Sequence, residues 1–274
     1  STIVGLAVKG YLKIKEIEKE GLIFDSTDYH LLKVKGPDTD LSPFETELMK
    51  SLFPGIQSGI YVSDMKNKFY KNLRSLKDTL YGELVKKNYF LTSPEKIRNI
   101  YFLTGFAIII FGVILSAAFT SHFVWKNLIA LAVTGLPFFA FGRVMPAKTK
   151  NGASAYMDIL GFQEFLNRAE KDRLERMGDK NLFSKFLPFA IALDVEENWA
   201  KAFEGIYQEP PQWYTSPRGF RTFGPYSFAR SINSVTSSLA TAMFSSPRGS
   251  GGRGGSGGGG FSGGGFGGGG GGSW

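Results

Sequence analysis

The chain has 274 residues, a formal net charge of +8 and no cysteine. Without cysteine it has no disulfide bond, thiolate metal site or cysteine nucleophile, and with His30 and His122 as its two imidazoles we expect neither a zinc site nor a histidine-based triad. We therefore predict no cofactor and no enzymatic activity. The positive charge suits acidic lipid or nucleic acid as a partner, although basic residues beside membrane helices are expected on the cytoplasmic side in any case.

Residues 1–35 have the pattern of a helix end followed by a two-stranded ribbon. An apolar stretch ends at Gly10, which can stop a helix. Apolar and basic residues then alternate over 11–15, which is the period of a strand, and a second strand is predicted over 29–34. A winged-helix domain ends in this way, so we predict the C-terminal part of a winged-helix-like module. His30 is interpreted as an ordinary strand residue.

Residues 36–92 repeat the plan, and we predict a second winged-helix-like module. Ser42-Pro43-Phe44-Glu45 has the residues of a capping box, with a proline at the first helical position. Apolar residues then recur at threes and fours from Met65 to Leu84, which predicts an amphipathic helix. A break near Asn72 is the alternative.

Basic side chains are predicted on the exposed face of this last helix. They are Lys66, Lys68, Lys71, Arg74 and Lys77. In a DNA-binding winged helix such residues contact phosphates, and these five are our candidate phosphate or partner contacts. A solvated helix face near a membrane explains these residues without a ligand. We favour that interpretation over phosphate contact, because a fold does not by itself fix a function.

Two apolar runs separated by Lys126 dominate the middle of the chain. The first, 100–125, contains no charged residue, and the second, 127–142, is shorter. A helix needs about 20 mainly apolar residues to cross a hydrocarbon core of roughly 30 Å. We predict a transmembrane helical hairpin, and for the second run a buried soluble hairpin remains the alternative.

The predicted membrane region covers 93–150. Its spans are placed at about 101–121 and 127–145. Small residues are expected where the two helices meet. They are Gly105, Gly112, Ser116 and Thr120 in the first run and Ala130 and Thr134 in the second.

Basic residues predict the orientation of the hairpin. They are Lys86, Lys87, Lys96 and Arg98 before it and Arg143, Lys148 and Lys150 after it. The positive-inside rule places both flanks, and hence both ends of this chain, in the cytoplasm, which makes it a multi-pass protein of the cell membrane. His122 near the turn is interpreted as an interfacial residue rather than a proton relay.

The remaining sequence divides into two parts. Residues 151–207 alternate apolar stripes with mixed charge, which predicts a cytoplasmic helical region. Residues 208–274 begin with a proline-aromatic segment and become almost entirely glycine, serine and phenylalanine, which predicts a disordered linker and a Gly-rich tail.

Several segments, in their order along the chain, carry a resemblance to a known family. They are GLAVKGYLKIKE, LSPFETELMKSLF, KNKFYKNLRSLKDTLYGELVKKNYF, GFQEFLNRAEKDRLE, LPFAIALDVEENWAKAFE and GGGGFSGGGFGGGGGGSW. The chain resembles the domain-of-unknown-function 2207 (YciQ-like) family of bacterial predicted membrane proteins. The resemblance implies a secretion signal, an extracytoplasmic β-rich domain and a first membrane helix upstream, so this chain is expected to be N-terminally truncated. It transfers no catalytic residue, and an enzymatic activity would have to reside in the missing N-terminal part.

The sequence thus predicts a mainly α membrane protein with winged-helix-like α+β cytoplasmic modules, a transmembrane hairpin, a helical C-terminal region and a disordered tail. Its predicted role is that of a membrane-anchored scaffold or protein-interaction protein of unknown activity, with the bilayer and an unidentified protein as partners. The alternative is a membrane-tethered nucleic-acid-binding regulator that uses the basic winged-helix-like module.

Overall fold

A computed structural model gives the structure of the chain as a mostly helical protein with a small mixed sheet. It describes residues 1–19, 26–119, 125–142, 145–177, 179, 181–207, 209–217 and 223–247. The helices are α1 (Thr2–Val8), α2 (Pro43–Leu52), α3 (Val62–Met65), α4 (Leu73–Lys86), α5 (Pro94–Phe119), α6 (Trp125–Gly142), α7 (Lys150–Asn167), α8 (Lys171–Met177), α9 (Leu182–Ala192), α10 (Glu196–Ala202) and α11 (Pro225–Phe244). The strands are β1 (Leu12–Lys19), β2 (Ser26–Lys33), β3 (Gly59–Tyr61) and β4 (Tyr214–Thr215). The mainly α composition is as the sequence predicted.

The described residues form two compact units, and the chain passes between them more than once. Unit 1 contains residues 1–36, 53–71 and those from 163 onward. Unit 2 contains residues 37–52 and 72–162. The division of the sequence at residues 35, 92, 150 and 207 stays a prediction.

Unit 1 contains the sheet, whose strands lie in the order β3-β2-β1-β4. Strands β1 and β2 pair antiparallel, β2 and β3 do likewise, and the two-residue β4 pairs parallel to β1. Leu12 and Ile14 are buried while Lys13 and Lys15 are exposed. This alternation confirms the strand period predicted for the ribbon, and β3 extends the ribbon on one side.

His30 is an ordinary strand residue, as predicted. It pairs with Tyr61 across β2 and β3, and the two rings stack with their centroids 4.2 Å apart. Gly59 lets the imidazole lie this close, because a Cβ at that position would be 2.6 Å from His30 Nε2. The second imidazole, His122, lies outside the described residues.

Helix α11 corrects the prediction that everything after residue 207 is disordered. It has twenty residues, and its apolar side chains are buried in the core of unit 1. They include Phe228, Ile232, Val235 and Leu239, which recur at the spacing of one helix face. The linker prediction was wrong here because the segment's many serines and threonines hide this stripe. The Gly-rich part from 248 to 274 lies outside the described residues.

Unit 2 begins with the predicted capping box. The Glu45 N–H donates to Ser42 Oγ at 3.2 Å, and the Ser42 N–H donates to Glu45 Oε2 at 3.0 Å. This reciprocal pair confirms the predicted start of α2. Helix α2 packs against α4, where the Phe44 N–H donates to Glu83 Oε1 at 2.5 Å.

The long helix predicted from Met65 to Leu84 is wrong, and the alternative break near Asn72 is confirmed. Helix α3 ends at Met65, a 3-10 helix covers Phe69–Asn72, and α4 begins only at Leu73. Asn67 has a φ of 60°, in the left-handed region that asparagine tolerates better than most residues. The chain therefore turns between α3 and the 3-10 helix.

Candidate functional site

The five predicted basic contacts do not share one helix face. Lys66 directly follows α3, Lys68 precedes the 3-10 helix, Lys71 lies in it, and Arg74 and Lys77 lie on α4. All five are exposed. The first three belong to unit 1 and the last two to unit 2. A continuous recognition helix is thus not formed, and contact of these residues with phosphate or a partner stays a prediction.

Helix α5 is long and apolar enough to cross a membrane. Among the described residues, Pro94–Ser116 alone meets this criterion, with a mean hydropathy of 2.1. Only 6% of its most apolar window is buried, and Leu103 is 70% exposed. The core helix of a soluble protein would be mostly buried, whereas an exposed apolar helix of this length has the properties of a membrane-spanning segment.

Helices α5 and α6 pack against each other in opposite directions. A Cβ on Gly135 would lie 2.6 Å from Ile109 Cγ1, and a Cβ on Gly142 would lie 3.2 Å from Tyr101 Cβ. The later residue of α6 therefore lies against the earlier residue of α5. The joining residues 120–124 lie outside the described part of the chain.

The two helices approach each other closely at glycine residues, which agrees with the prediction of small residues where they meet. Gly105 of α5 is buried, and its carbonyl oxygen lies 3.8 Å from the position of a Gly135 Cβ. On α6 the sequence pointed to Thr134, but Thr134 is exposed and Gly135, one residue further on, makes the contact. The side chain of Ala130, like Thr120, is not among those described.

Unit 1 has an open cleft with a volume of about 850 Å³. Its walls come from three parts of the chain: Val8 of α1, the start of α9, and residues 206–207 with 209–213. The lining side chains are Val8, Asn181, Ser184, Lys185, Ile206, Tyr207, Glu209, Pro210, Pro211, Gln212 and Trp213. The sequence did not indicate this cleft, and its proline-aromatic segment was predicted to be a linker.

The polar groups of the cleft include both hydrogen-bond donors and acceptors. The hydroxyls of Ser184, from α9, and Tyr207, from the segment after α10, lie 3.3 Å apart where two walls meet. Lys185 and Gln212 are exposed toward solvent, whereas Trp213 is 8% exposed. The indole Nε1–H of Trp213 has no acceptor among the described residues.

A buried carboxylate organises a second polar cluster beside α3. Asp28 Oδ2 lies 2.6 Å from Lys19 Nζ and accepts a hydrogen bond of 2.7 Å from Ser63 Oγ. Lys19 Nζ lies 3.1 Å from the same hydroxyl. Burial alone would raise the pKa of Asp28, but the hydrogen bonds from Lys19, Ser63 and two backbone N–H groups outweigh it and lower the pKa.

This cluster contains a serine and a lysine in contact, yet its charges do not suit nucleophilic catalysis. The hydrogen bond to Asp28 raises the pKa of Lys19, so Lys19 stays protonated and is not a general base for Ser63. The arrangement instead holds α3 against the start of β2, because the Ser63 N–H also donates to Asp28 Oδ1 at 3.1 Å.

No group of three or more acidic or histidine side chains that could hold a metal ion is found in the part of the chain that the structure describes. A metal centre is therefore not among the candidate sites that the described residues form.

The exposed apolar helix has the length and composition of a membrane span. A family model described as "Predicted membrane protein (DUF2207) C-terminal domain" matches residues 1–203. The chain belongs to the DUF2207 family of predicted membrane proteins, which confirms the resemblance seen in its sequence. No curated protein and no solved structure matched the chain. The family is one of unknown function and has no known catalytic role.

Proposed function

We propose that this chain is a membrane-anchored interaction protein whose cleft binds a segment of a partner protein. The observation that carries the proposal is the exposure of α5, which contains an apolar stretch of membrane-spanning length. Only 6% of its most apolar window is buried by the part of the chain that the structure describes. Such a helix holds the rest of the chain at a bilayer surface, where a binding cleft meets a restricted set of partners.

We further propose that α6 is the return leg of a hairpin. The antiparallel packing of α6 on α5 supports this, because a helix that enters the bilayer beside α5 buries its glycine face without exposing polar groups. With basic residues on both flanks, both ends of the chain then lie in the cytoplasm, and the protein is multi-pass.

The cleft is the best-formed candidate for the partner site. Its opposite charges, Lys185 and Glu209, and its amides, Asn181 and Gln212, offer donors and acceptors together. An extended polypeptide presents N–H and C=O groups in alternation and suits such a lining better than a single anion does, since Glu209 repels anions. The cleft therefore supports the protein-interaction role over an enzymatic one.

The second candidate is a membrane-tethered regulator that binds nucleic acid through a winged-helix-like module. The exposure of all five basic residues is the observation that favours it. The break of the predicted recognition helix after α3 weakens it, because a DNA-reading module of this kind inserts one continuous helix into the major groove.

Site-specific photo-crosslinking in intact membranes tests the interaction role. A photoreactive residue is placed at Gln212 in the cleft and, as the matched control, at Ser234 on the exposed face of α11. We expect a discrete protein crosslink from position 212 alone, abolished by Lys185→Glu in the cleft but kept in Lys201→Glu, an equal charge reversal on α10. Equal crosslinking from both positions, or insensitivity to Lys185→Glu, would overturn the cleft as the partner site.

Duplex DNA tests the alternative with the same full chain, reconstituted in lipid nanodiscs. Binding through phosphates weakens steeply as salt concentration rises. We expect no salt-dependent binding; binding that is lost when the five basic residues are replaced by alanine would establish the nucleic-acid role instead.

A further inference from the structure

One end of the α5–α6 pair is built from four segments of unit 2. Gly142 at the end of α6 lies against α5 near its start, since a Cβ there would be 4.0 Å from the Arg98 carbonyl oxygen. Phe90, just after α4, forms an antiparallel bridge with Lys148, which precedes α7. Four segments therefore lie together at this end of the helix pair: the end of α4, the start of α5, the end of α6 and the start of α7.

Tight backbone contacts fix this meeting point. Thr149 donates through its backbone N–H to the Tyr89 carbonyl at 3.1 Å and through Oγ1 to the Asn88 carbonyl at 2.5 Å. A Cβ on Gly152 would overlap the Tyr89 carbonyl oxygen, so only glycine fits there. The relative positions of the charged residues on these segments are thus set by the fold.

Basic side chains concentrate at this end of the helix pair. We call them the basic collar: Lys86, Lys87, Lys96, Arg98, Lys148 and Lys150. Within 86–98 and 145–152 the one acidic residue is Glu95. The five lysines of the collar reach solvent, and none of its six residues forms an ion pair with another described residue. The collar thus offers a net positive surface.

Aromatic rings accompany the basic collar. Arg98 donates to the Tyr81 hydroxyl at 2.9 Å, and Lys148 Nζ lies 3.4 Å from the centroid of the Tyr156 ring. Tyrosine next to lysine and arginine is the composition that membrane–water interfaces favour.

The apolar surface begins directly beyond the collar. Ile100 is one turn after Lys96 on α5 and is 59% exposed, and Leu103 follows at 70%. With these residues in the hydrocarbon core, the basic collar lies at the depth of the phosphate groups of the lipids. A soluble nucleic acid or acidic polypeptide would have to displace those headgroups to reach the same side chains.

We infer that the basic collar binds the headgroups of acidic phospholipids. The charge complementarity, the aromatic neighbours and the position of the collar at the edge of the apolar surface all favour this occupant. The chain is therefore expected to prefer anionic lipid. That lipid binds at one end of the helix pair and not over the whole basic surface of the protein. This inference rests on the proposed membrane anchoring but not on the cleft.

Native mass spectrometry of the full chain, released from micelles with equal amounts of phosphatidylglycerol and phosphatidylcholine, tests this inference. The collar variant carries Lys86→Gln, Lys87→Gln, Lys96→Gln, Lys148→Gln and Lys150→Gln, and leaves Arg98 on Tyr81. The control variant loses equal charge from exposed lysines elsewhere, by Lys13→Gln, Lys15→Gln, Lys50→Gln, Lys171→Gln and Lys201→Gln.

We expect the wild type and the control variant to retain phosphatidylglycerol about fivefold or more over phosphatidylcholine, and the collar variant to lose this preference while keeping its helical circular dichroism. The absence of a preference in the wild type would overturn the inference. An equal loss in both variants would also overturn it, because the preference would then follow net charge alone.

Discussion

Gly135 of α6 lies directly against Ile109 of α5, at a separation that leaves no room for a Cβ. A Cβ at position 135 would be 2.6 Å from Ile109 Cγ1 and 2.8 Å from its Cδ1, so any side chain there must push the isoleucine aside. The close packing of the two apolar helices at this point therefore depends on the absence of a side chain at position 135.

We predict that Gly135→Leu separates the helices and lowers the thermal unfolding midpoint in detergent. Overpacking of this kind costs about 1–3 kcal/mol. Gly161→Leu is the control, because a Cβ there meets nothing within 4 Å. Adding Ile109→Ala to Gly135→Leu restores part of the loss, and a Gly135→Leu protein as stable as the control would contradict the packing.

Replacing either of two glycines of unit 2 by alanine is predicted to change the stability of the fold, in opposite directions for the two positions. Gly152→Ala forces a methyl group onto the Tyr89 carbonyl, which is backbone and cannot rotate away, and we expect a loss of about 1–3 kcal/mol. Gly82→Ala in α4 meets open space and should stabilise the helix by up to about 1 kcal/mol. Thermal midpoints of the two variants check both signs, and the same sign for both would contradict the structure.

The ion pair of Asp28 predicts a loss of stability in acid. Because its pKa is lower in the folded protein than in the unfolded chain, Asp28 stabilises the fold above the usual carboxyl pKa, and this contribution is lost as the pH falls through the lowered value. We expect Asp28→Asn to lower the midpoint at pH 7 by roughly 2–4 °C, the effect of about 1 kcal/mol in a chain of this size.

The difference between Asp28→Asn and the wild type should shrink in strong acid. Asp78→Asn, at an exposed position of α4, serves as the control and should leave the midpoint within roughly 1 °C of the wild type at pH 7. A constant difference at every pH would show that the Asp28 charge is not what matters.

Glu196 predicts a pH dependence of the opposite sign. It is 5% exposed, and burial raises its pKa, although Asn233 Nδ2 donates to its Oε1 at 2.7 Å. The folded protein therefore holds this proton more tightly than the unfolded chain, and stability falls as the pH rises past the usual carboxyl pKa toward the raised value.

Glu196→Gln keeps an acceptor for Asn233 without a charge. We expect it to raise the midpoint at pH 8 by up to a few degrees, roughly the effect of 1 kcal/mol, and to match the wild type near pH 4. Thermal scans at the two pH values decide this, and a lower midpoint for Glu196→Gln at pH 8 would mean that the buried charge is stabilising.

The features that the sequence predicted well are local ones. The Ser42–Glu45 capping box depends on four consecutive residues, and the apolar run of α5 depends on composition alone, so both are readable without the fold. The apolar stripe of α11 is also present in the sequence, since Phe228, Ile232 and Val235 recur at helical spacing. We did not predict the helix, because serines and threonines surround this stripe.

The features that the sequence did not predict depend on distant contacts. The cleft brings Val8 together with the start of α9 and with Trp213, and no periodicity in the chain relates positions so far apart. Strand β4, with two residues, is likewise defined only by its pairing with Ile14 and Lys15 of β1. Such contacts are properties of packing rather than of local pattern.

The most direct test of the membrane-anchored account is the side of the bilayer on which three positions lie. The chain has no cysteine, so Thr92→Cys, Lys126→Cys and Ala147→Cys each introduce a single thiol for a membrane-impermeant maleimide. In inverted and right-side-out vesicles we predict that positions 92 and 147 are labelled from the cytoplasmic face and position 126 from the outer face. Labelling of 92 and 147 from opposite faces, or of all three from one face, would contradict the account.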